Sequence, residues 1–177
     1  SAADSAPNGW KSIRLHSEFY AEGAAAGDVD GDGHVDVTSG PFVYRGPDFK
    51  ERFELFEPHV FSINGYSDNF FSHIVDVNSD GFNDVIILGF PGREARCYVN
   101  PGSERMKNHW SMKILADQVG HESPAVIDLI PGGLLEIVCS RETSYGYYQA
   151  GENPLDPWKW NEVSDSGLAR KPFGHGM

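Results

Sequence analysis

The chain has 177 residues, 40% of them hydrophobic, with 14 basic and 26 acidic side chains and a net charge of −12. This length suits one domain or part of a larger one, and the apolar fraction is too high for a disordered chain. The acidic excess argues against nucleic acid as a partner, because phosphate backbones are bound through basic stripes, and it favours small cations. No run of 18 apolar residues occurs, so the sequence predicts no membrane span.

Residues 1–9 are predicted to be a lead that precedes the fold. Their small side chains are typical of the end left by signal-peptide removal, although a cloning remnant would look similar. We therefore expect an exported protein, located outside the cell, in the periplasm or on the cell surface. The two cysteines, Cys97 and Cys139, are too few for a disulfide scaffold, and a bridge between them is not favoured.

A nine-residue acidic segment is the main internal repeat of the chain. Residues 28–36 (DVDGDGHVD) recur as residues 76–84 (DVNSDGFND), 48 residues later. A third, degenerate copy covers residues 128–136, where Ile130 and Gly132 stand in place of acidic residues.

Short segments rich in β-branched and aromatic residues flank each copy and predict four strands per unit of about 50 residues. The fourth strands are predicted to begin with tryptophan, in residues 10–15, 110–115 and 158–163. Four-stranded tandem units of this length are typical of a β-propeller. We predict an all-β fold over residues 10–177, a partial propeller of three to three and a half blades, with residues 158–177 starting a fourth unit. The alternative is a β-sandwich with two calcium loops.

The first two acidic segments are predicted to be calcium sites. Carboxylates at alternate positions converge on one cation when a glycine lets the chain curl, and the seventh residue contributes its backbone carbonyl. An EF-hand is excluded because its twelfth-position Glu is replaced by Ser39 and Ile87. The predicted ligands are Asp28, Asp30, Asp32, His34 and Asp36 in the first loop, and Asp76, Asn78, Asp80, Phe82 and Asp84 in the second.

The alternative for each segment is a solvated turn, since Asp, Asn and Gly favour turns without any metal. The four acids of the first loop and the three of the second would repel one another without a counter-ion, which favours calcium in both loops. Magnesium fits less well because it keeps several waters in an octahedral shell. The third loop lacks two early ligands, so we expect a structural turn there, and we expect Glu136→Ala to matter less than Asp30→Ala or Asp80→Ala.

These loops resemble those of the FG-GAP/VCBS repeat family, whose Asp-x-Asp-x-Asp-Gly-x-x-Asp loops lie between strands of blades like those of the integrin α-subunit propeller. The first loop matches at every ligand position, the second departs only at Asn78, and the third departs at Ile130 and Gly132. The chain looks most like the secreted bacterial members. The resemblance implies the propeller fold and calcium, but no particular activity.

In a propeller, the residues that enter the first strand of each unit lie at one mouth of the channel. A polar and aromatic rim of this kind would suit a sugar, with Phe70 or Tyr20 as a stacking face, although ordinary solvated loops would have the same composition. His73 is expected to be structural. The predicted rim residues are Glu22, Asp68, Asn69, Phe70, His121, Glu122 and His175.

The sequence contains no zinc spacing, no Gly-x-Ser-x-Gly elbow, no phosphate loop and no dinucleotide fingerprint. The leading hypothesis is an extracellular module with structural calcium that binds polysaccharide or an extracellular protein. The remainder of a longer propeller or another copy of the chain could also be a partner. The alternatives are the propeller portion of a polysaccharide lyase and an architectural cell-surface component. Whether the chain is an enzyme stays open, and no catalytic residue is assigned.

Overall fold

The computed structural model of the protein describes residues 11–102, 106–169 and 174. These residues form eleven β-strands and no helix, which confirms the all-β prediction. Within them, therefore, no helix is long and apolar enough to cross a membrane.

The strands form two antiparallel sheets, each with neighbours in chain order. Sheet A consists of β1 (Ala24–Gly27), β2 (Asp36–Ser39), β3 (Phe42–Tyr44) and β4 (Arg52–Glu54). Sheet B consists of β5 (Phe71–Val75), β6 (Asp84–Leu88), β7 (Arg93–Val99), β8 (Ser111–Ile127), β9 (Glu136–Arg141), β10 (Ser144–Gln149) and β11 (Lys159–Glu162). Across the described residues the sheets do not close into a barrel or a propeller.

The long strand β8 divides sheet B into a β5–β8 half and a β8–β11 half. Its first part, Ser111 to Val119, pairs with β7, and its second part, Gly120 to Ile127, pairs with β9. The register with β9 shifts just after Gly120. A Cβ at Gly120 would lie 2.3 Å from the Ser140 hydroxyl oxygen, so the backbones approach here more closely than a side chain allows. Each half of sheet B therefore has four strands, as sheet A does.

Two apolar clusters hold these layers together, and β6 contributes to both because alternate residues of a strand face opposite sides. Val85 and Ile87 pack with Val43 and Phe53 of sheet A. Ile86 and Leu88 lie in the other cluster, with residues of the β8–β11 half that include Ile137, Cys139 and Tyr148. All five residues of β6 are buried, which explains the continuous apolar run from Val85 to Leu88.

Two tryptophans repeat the same contacts one unit apart. The Trp110 backbone N–H donates to the Leu55 carbonyl, and the Trp158 backbone N–H donates to the Leu115 carbonyl. Each indole N–H donates to the carbonyl four residues earlier, at Met106 (3.1 Å) and at Pro154 (2.8 Å). Both tryptophans are buried, and the strands predicted to begin at them begin one residue later, at Ser111 and Lys159.

The predicted strand at residues 10–15 is wrong within the described residues. Lys11 makes one isolated bridge, residues 12–15 form no strand, and Trp10 lies outside the described residues. The fourth strand of sheet A is instead β4, from a segment whose aromatic spacing gave no strand signal. Phe53 is central to β4 and is buried against Trp110, with ring centroids 5.9 Å apart. Residues 158–177, predicted to start a fourth unit, contribute β11, which pairs with β10.

Cys97 and Cys139 are free thiols buried in the same apolar cluster. Burial raises the pKa of both thiols, that of Cys139 to about 12. They behave as small apolar core residues at neutral pH.

Candidate metal centre

The loop at residues 28–36 connects β1 to β2 and folds around its own carboxylates. The Asp28 carboxylate accepts the backbone N–H groups of Gly31 (2.8 Å) and Gly33 (3.0 Å). Gly31 and Gly33 have φ angles of 75° and 85°, which residues with a Cβ rarely adopt. The glycine at position six is therefore required by the curl, as the sequence reasoning supposed.

Three of the predicted ligands converge in this loop. Carboxylate oxygens of Asp28, Asp30 and Asp36 all lie within 4.8 Å of one another. Oxygens no farther apart than this can all contact one calcium ion, whose oxygen ligands lie at about 2.3 to 2.6 Å. Among the described residues, no other group of His, Cys, Asp or Glu side chains converges in this way. The donor set is all oxygen, which suits a hard divalent cation.

Asp32 and His34 lie beside this group. The Asp32 carboxylate accepts the backbone N–H of His34 (2.8 Å), and the His34 ring Nδ1 lies 3.1 Å from the same oxygen. The His34 N–H is the main cause of a lowered pKa for Asp32, and burial opposes it. A backbone carbonyl ligand from His34 stays a prediction.

The second loop, residues 76–84, repeats these contacts with different donors. Asp76 accepts the backbone N–H groups of Asp80 (3.1 Å) and Gly81 (2.8 Å). The Asn78 side-chain amide donates to the Asp80 carboxylate at 2.9 Å, and the Phe82 N–H donates to the other Asp80 oxygen, also at 2.9 Å. Asp76, Asn78 and Phe82 are therefore each hydrogen-bonded to Asp80. Metal binding by the Phe82 carbonyl stays a prediction.

The ninth-position acid closes the turn in all three loops. Asp36 accepts the backbone N–H of Val29 at 2.9 Å, and Asp84 accepts that of Val77 at 2.9 Å. In the third loop, Glu136 accepts the N–H groups of Leu129 (3.0 Å) and Ile130 (3.1 Å). All three carboxylates are buried. This acid is retained in the third loop, where the acids at positions three and five are lost, so it holds the turn whether or not a metal binds.

Burial also makes Asp84 an unusual acid. Removal from solvent raises its pKa to about 6, against the backbone N–H groups of Asn100 and Val77, which lower it. The Asp80 and Asp76 carboxylates add a smaller increase by repulsion. A nearby divalent cation would favour the ionised form and reverse this shift.

The two loops contact each other. The Asn83 side-chain amide donates to the Asp28 carbonyl at 2.7 Å, and the Asn100 amide donates to the Val29 carbonyl at 2.9 Å. Sequence reasoning missed both asparagines and also missed Arg45, whose guanidinium pairs with Asp30 and Asp32. In the sequence, the only sign of this ion pair is that Arg45 is a basic residue that follows four aspartates at a short distance.

The predicted rim residues fall into two groups among the described contacts. In the first group, the Glu22 carboxylate accepts the Ser67 N–H at 3.1 Å, and the Asn69 amide donates to the Tyr20 carbonyl at 2.8 Å. Arg96 donates to the Asp68 carbonyl. These contacts tie the entry segments of β1 and β5 together, and they occupy the Glu22 carboxylate and the Asn69 amide.

Phe70 belongs to an aromatic cluster with Tyr66 and Phe90. Its ring centroid lies 5.9 Å from that of Tyr66 and 5.7 Å from that of Phe90. Tyr66 is 66% exposed, so this cluster presents an aromatic face to solvent. Tyr20, the other predicted stacking residue, instead packs edge-on against Phe42 at 4.9 Å.

The second rim group surrounds Gly174. His121 is 3% exposed, and its ring Nδ1 lies 2.9 Å from the Gly174 carbonyl, which also accepts the Glu122 N–H. His121 has a φ of 73°, so its backbone is held in a conformation that few non-glycine residues adopt. His175 lies outside the described residues.

A scan against protein-family models, a search of curated proteins and a search of solved structures each found no match to this chain.

Proposed function

We propose that this chain is a calcium-stabilised β-propeller segment of an exported protein, which acts as a binding module. The observation that carries the proposal is the convergence of Asp28, Asp30 and Asp36 within 4.8 Å, in a loop whose pattern recurs at residues 76–84. An all-oxygen site between two strands fits calcium in a structural role. Bound calcium supplies positive charge that links the two ends of the turn and offsets carboxylate repulsion.

The protein's own residues prepare these loops for the cation. Backbone N–H groups hold Asp28 and Asp76 in place, and the buried Asp36 and Asp84 fix the return of the chain into β2 and β6. Because the carboxylates are positioned by the backbone, a cation would bind with little ordering of side chains. We place one calcium in each of the first two loops and none at residues 128–136.

The propeller part of the proposal is supported by repetition. Sheet A and the two halves of sheet B each have four antiparallel strands, and the contacts of Trp110 and Trp158 recur between them. Aligning Asp84 with Glu136 places Val138 and Tyr147 where the β5–β8 half has Ile86 and Cys97. Ile86 and Cys97 are fully buried, whereas Val138 and Tyr147 are only partly covered. A further four-stranded blade over that face would complete the pattern.

For the binding partner we propose a polysaccharide or an extracellular protein, bound on the face that carries Tyr66, Phe70 and Phe90. Exposed aromatic rings are suited to stack on sugar rings or to anchor a protein contact. A lyase is less well supported, because the one rim histidine in the described residues, His121, is buried and held by Gly174. A purely architectural role has no specific observation in its favour.

Calcium titration tests this proposal. Isothermal titration of the metal-free protein with calcium should reveal two sites, with much weaker binding of magnesium, and excess EDTA should lower the melting temperature. An unchanged melt in EDTA would remove the calcium claim. Binding to a panel of polysaccharides, compared between wild type and Tyr66→Ala, tests the aromatic face, and the appearance of unsaturated products would instead favour the lyase.

A further inference from the structure

Arg45 lies immediately after β3 and places its guanidinium on the first acidic loop. Its Nε donates to the Asp30 carboxylate, its Nη2 lies 3.4 Å from an Asp32 oxygen, and its Nη1 lies 3.2 Å from a Glu51 oxygen. The Asp30 side chain is only 7% exposed, so this ion pair is partly desolvated. Charge-assisted hydrogen bonds from a guanidinium are among the stronger polar contacts in proteins.

The backbone identifies the position at the second loop that matches Arg45. The Gly46 N–H donates to Asp36 at 2.8 Å, and the Asn100 N–H donates to Asp84 at 2.7 Å. These two donors are structurally equivalent, so the residues that precede them, Arg45 and Val99, are equivalent as well.

The two loops nevertheless carry the same formal charge, because they differ in their number of acids. The first loop has four carboxylates and one guanidinium, and the second has three carboxylates because Asn78 replaces the acid at position three; both total a formal charge of −3. In the second loop, the Asn78 amide donates to an Asp80 oxygen. Arg45 contacts the corresponding residue, Asp32, in the first loop. The position-five acid is therefore contacted by a neutral side-chain amide in the second loop and by a charged guanidinium in the first.

We propose that Arg45 is a resident counter-ion that competes with a divalent cation for Asp30 and Asp32, so that residues 28–36 bind calcium more weakly than residues 76–84. This inference rests on the proposed calcium binding. The Asp30 oxygen that accepts the Arg45 Nε cannot coordinate a cation in the same direction, and a guanidinium beside a divalent cation is repelled. Calcium must therefore displace Arg45 or bind against its charge. Without calcium, Arg45 keeps the first loop folded, whereas the matching residue at the second loop is the uncharged Val99.

The test isolates the first loop with Asp76→Asn and Asp80→Asn and measures calcium binding by isothermal titration at fixed salt. In that background, Arg45→Val, which copies Val99, should raise the calcium affinity at least tenfold, and Arg45→Gln serves if the valine variant folds poorly. Lys107→Val is the matched control. Lys107 is an exposed cation lining the same cavity as Asp30 and Arg45, so its loss should change affinity far less.

Melting temperatures supply a second measurement that needs no binding signal. In excess EDTA, Arg45→Val should lower the melting temperature, and saturating calcium should abolish or reverse that loss. Calcium binding that is equally strong with and without Arg45 would overturn the competition while leaving the calcium sites intact. Absence of calcium binding at both loops of the wild-type protein would overturn the proposed function itself, and this inference with it.

Discussion

The Asn100 side chain joins the two acidic loops by donating to the Val29 carbonyl at 2.9 Å and to the Asn83 carbonyl at 2.9 Å. Asn100 is 3% exposed, so water cannot replace these hydrogen bonds. Its backbone N–H also holds Asp84. One buried side chain thus couples the geometry of the first loop to that of the second.

Asn100→Ala should therefore destabilise the protein by about 1 to 3 kcal/mol, because buried carbonyls are left without donors. Chemical denaturation at saturating calcium measures the change. The control is Asn64→Ala, at an exposed position, which should lie within about 0.5 kcal/mol of wild type. Equal stability of the two variants would contradict the coupling role.

Glu136 should contribute more to the stability of the fold than its place in a degenerate loop suggests. Its buried carboxylate accepts two backbone N–H groups, so Glu136→Ala should cost about 2 to 3 kcal/mol of unfolding free energy. Glu136→Gln keeps an acceptor oxygen and should cost less. Because no metal is proposed at this loop, denaturation with calcium and with EDTA should give the same loss. The exposed Glu152→Ala is the control, and a loss no larger than this control's would show that the third loop does not need its acid.

Asp28→Asn distinguishes the role of Asp28 in metal binding from its role in holding the turn. The amide oxygen can still accept one of the two backbone N–H groups that Asp28 holds, but the charge needed by a cation is gone. We expect calcium affinity at the first loop to fall at least tenfold, with little change in the melting temperature in EDTA. Asp128→Asn, at the matching exposed position of the third loop, should alter neither quantity. A large loss of stability in EDTA for Asp28→Asn would mean that Asp28 acts mainly as a structural acceptor.

His73 should give the protein a pH-dependent stability. Burial lowers the pKa of His73, and its Nε2 has no hydrogen-bond partner among the described residues. The unfolded chain therefore takes up a proton near pH 6.5 that the folded chain resists, so the free energy of unfolding falls as pH drops below 6.5 towards the folded pKa. His73→Gln should lose less stability between pH 7.5 and 5.5 than wild type does. The exposed His59→Gln should behave as wild type does, and identical slopes for all three proteins would exclude His73 as the source.

Two neighbouring residues of β9 test which face of the β8–β11 half of sheet B is packed against other residues. Ile137 is fully buried towards β6, and Val138 faces the opposite side. Ile137→Ala should cost about 2 to 5 kcal/mol, whereas Val138→Ala should cost less than about 1 kcal/mol. Urea denaturation of this chain measures both. A comparable loss for Val138→Ala would show that another copy or segment already covers that face in solution.

The sequence alone determined the features that depend on residues close along the chain. Alternating and β-branched segments gave most strand positions, because a strand needs only local periodicity. The two acidic loops were found at residues 28–36 and 76–84 because their acidic residues and glycines lie within nine residues. The starts of β8 and β11, next to Trp110 and Trp158, were predicted for the same reason.

Only the tertiary structure decided the features that join distant segments. Strand β4 was hidden because its stability comes from Phe53 packing on Trp110, a contact 57 residues away. The position of Arg45 beside Asp30 depends on the turn that brings β3 back along β2. The predicted rim separated into two groups because its polar side chains satisfy backbone groups of neighbouring segments, and such pairings leave no periodic signal.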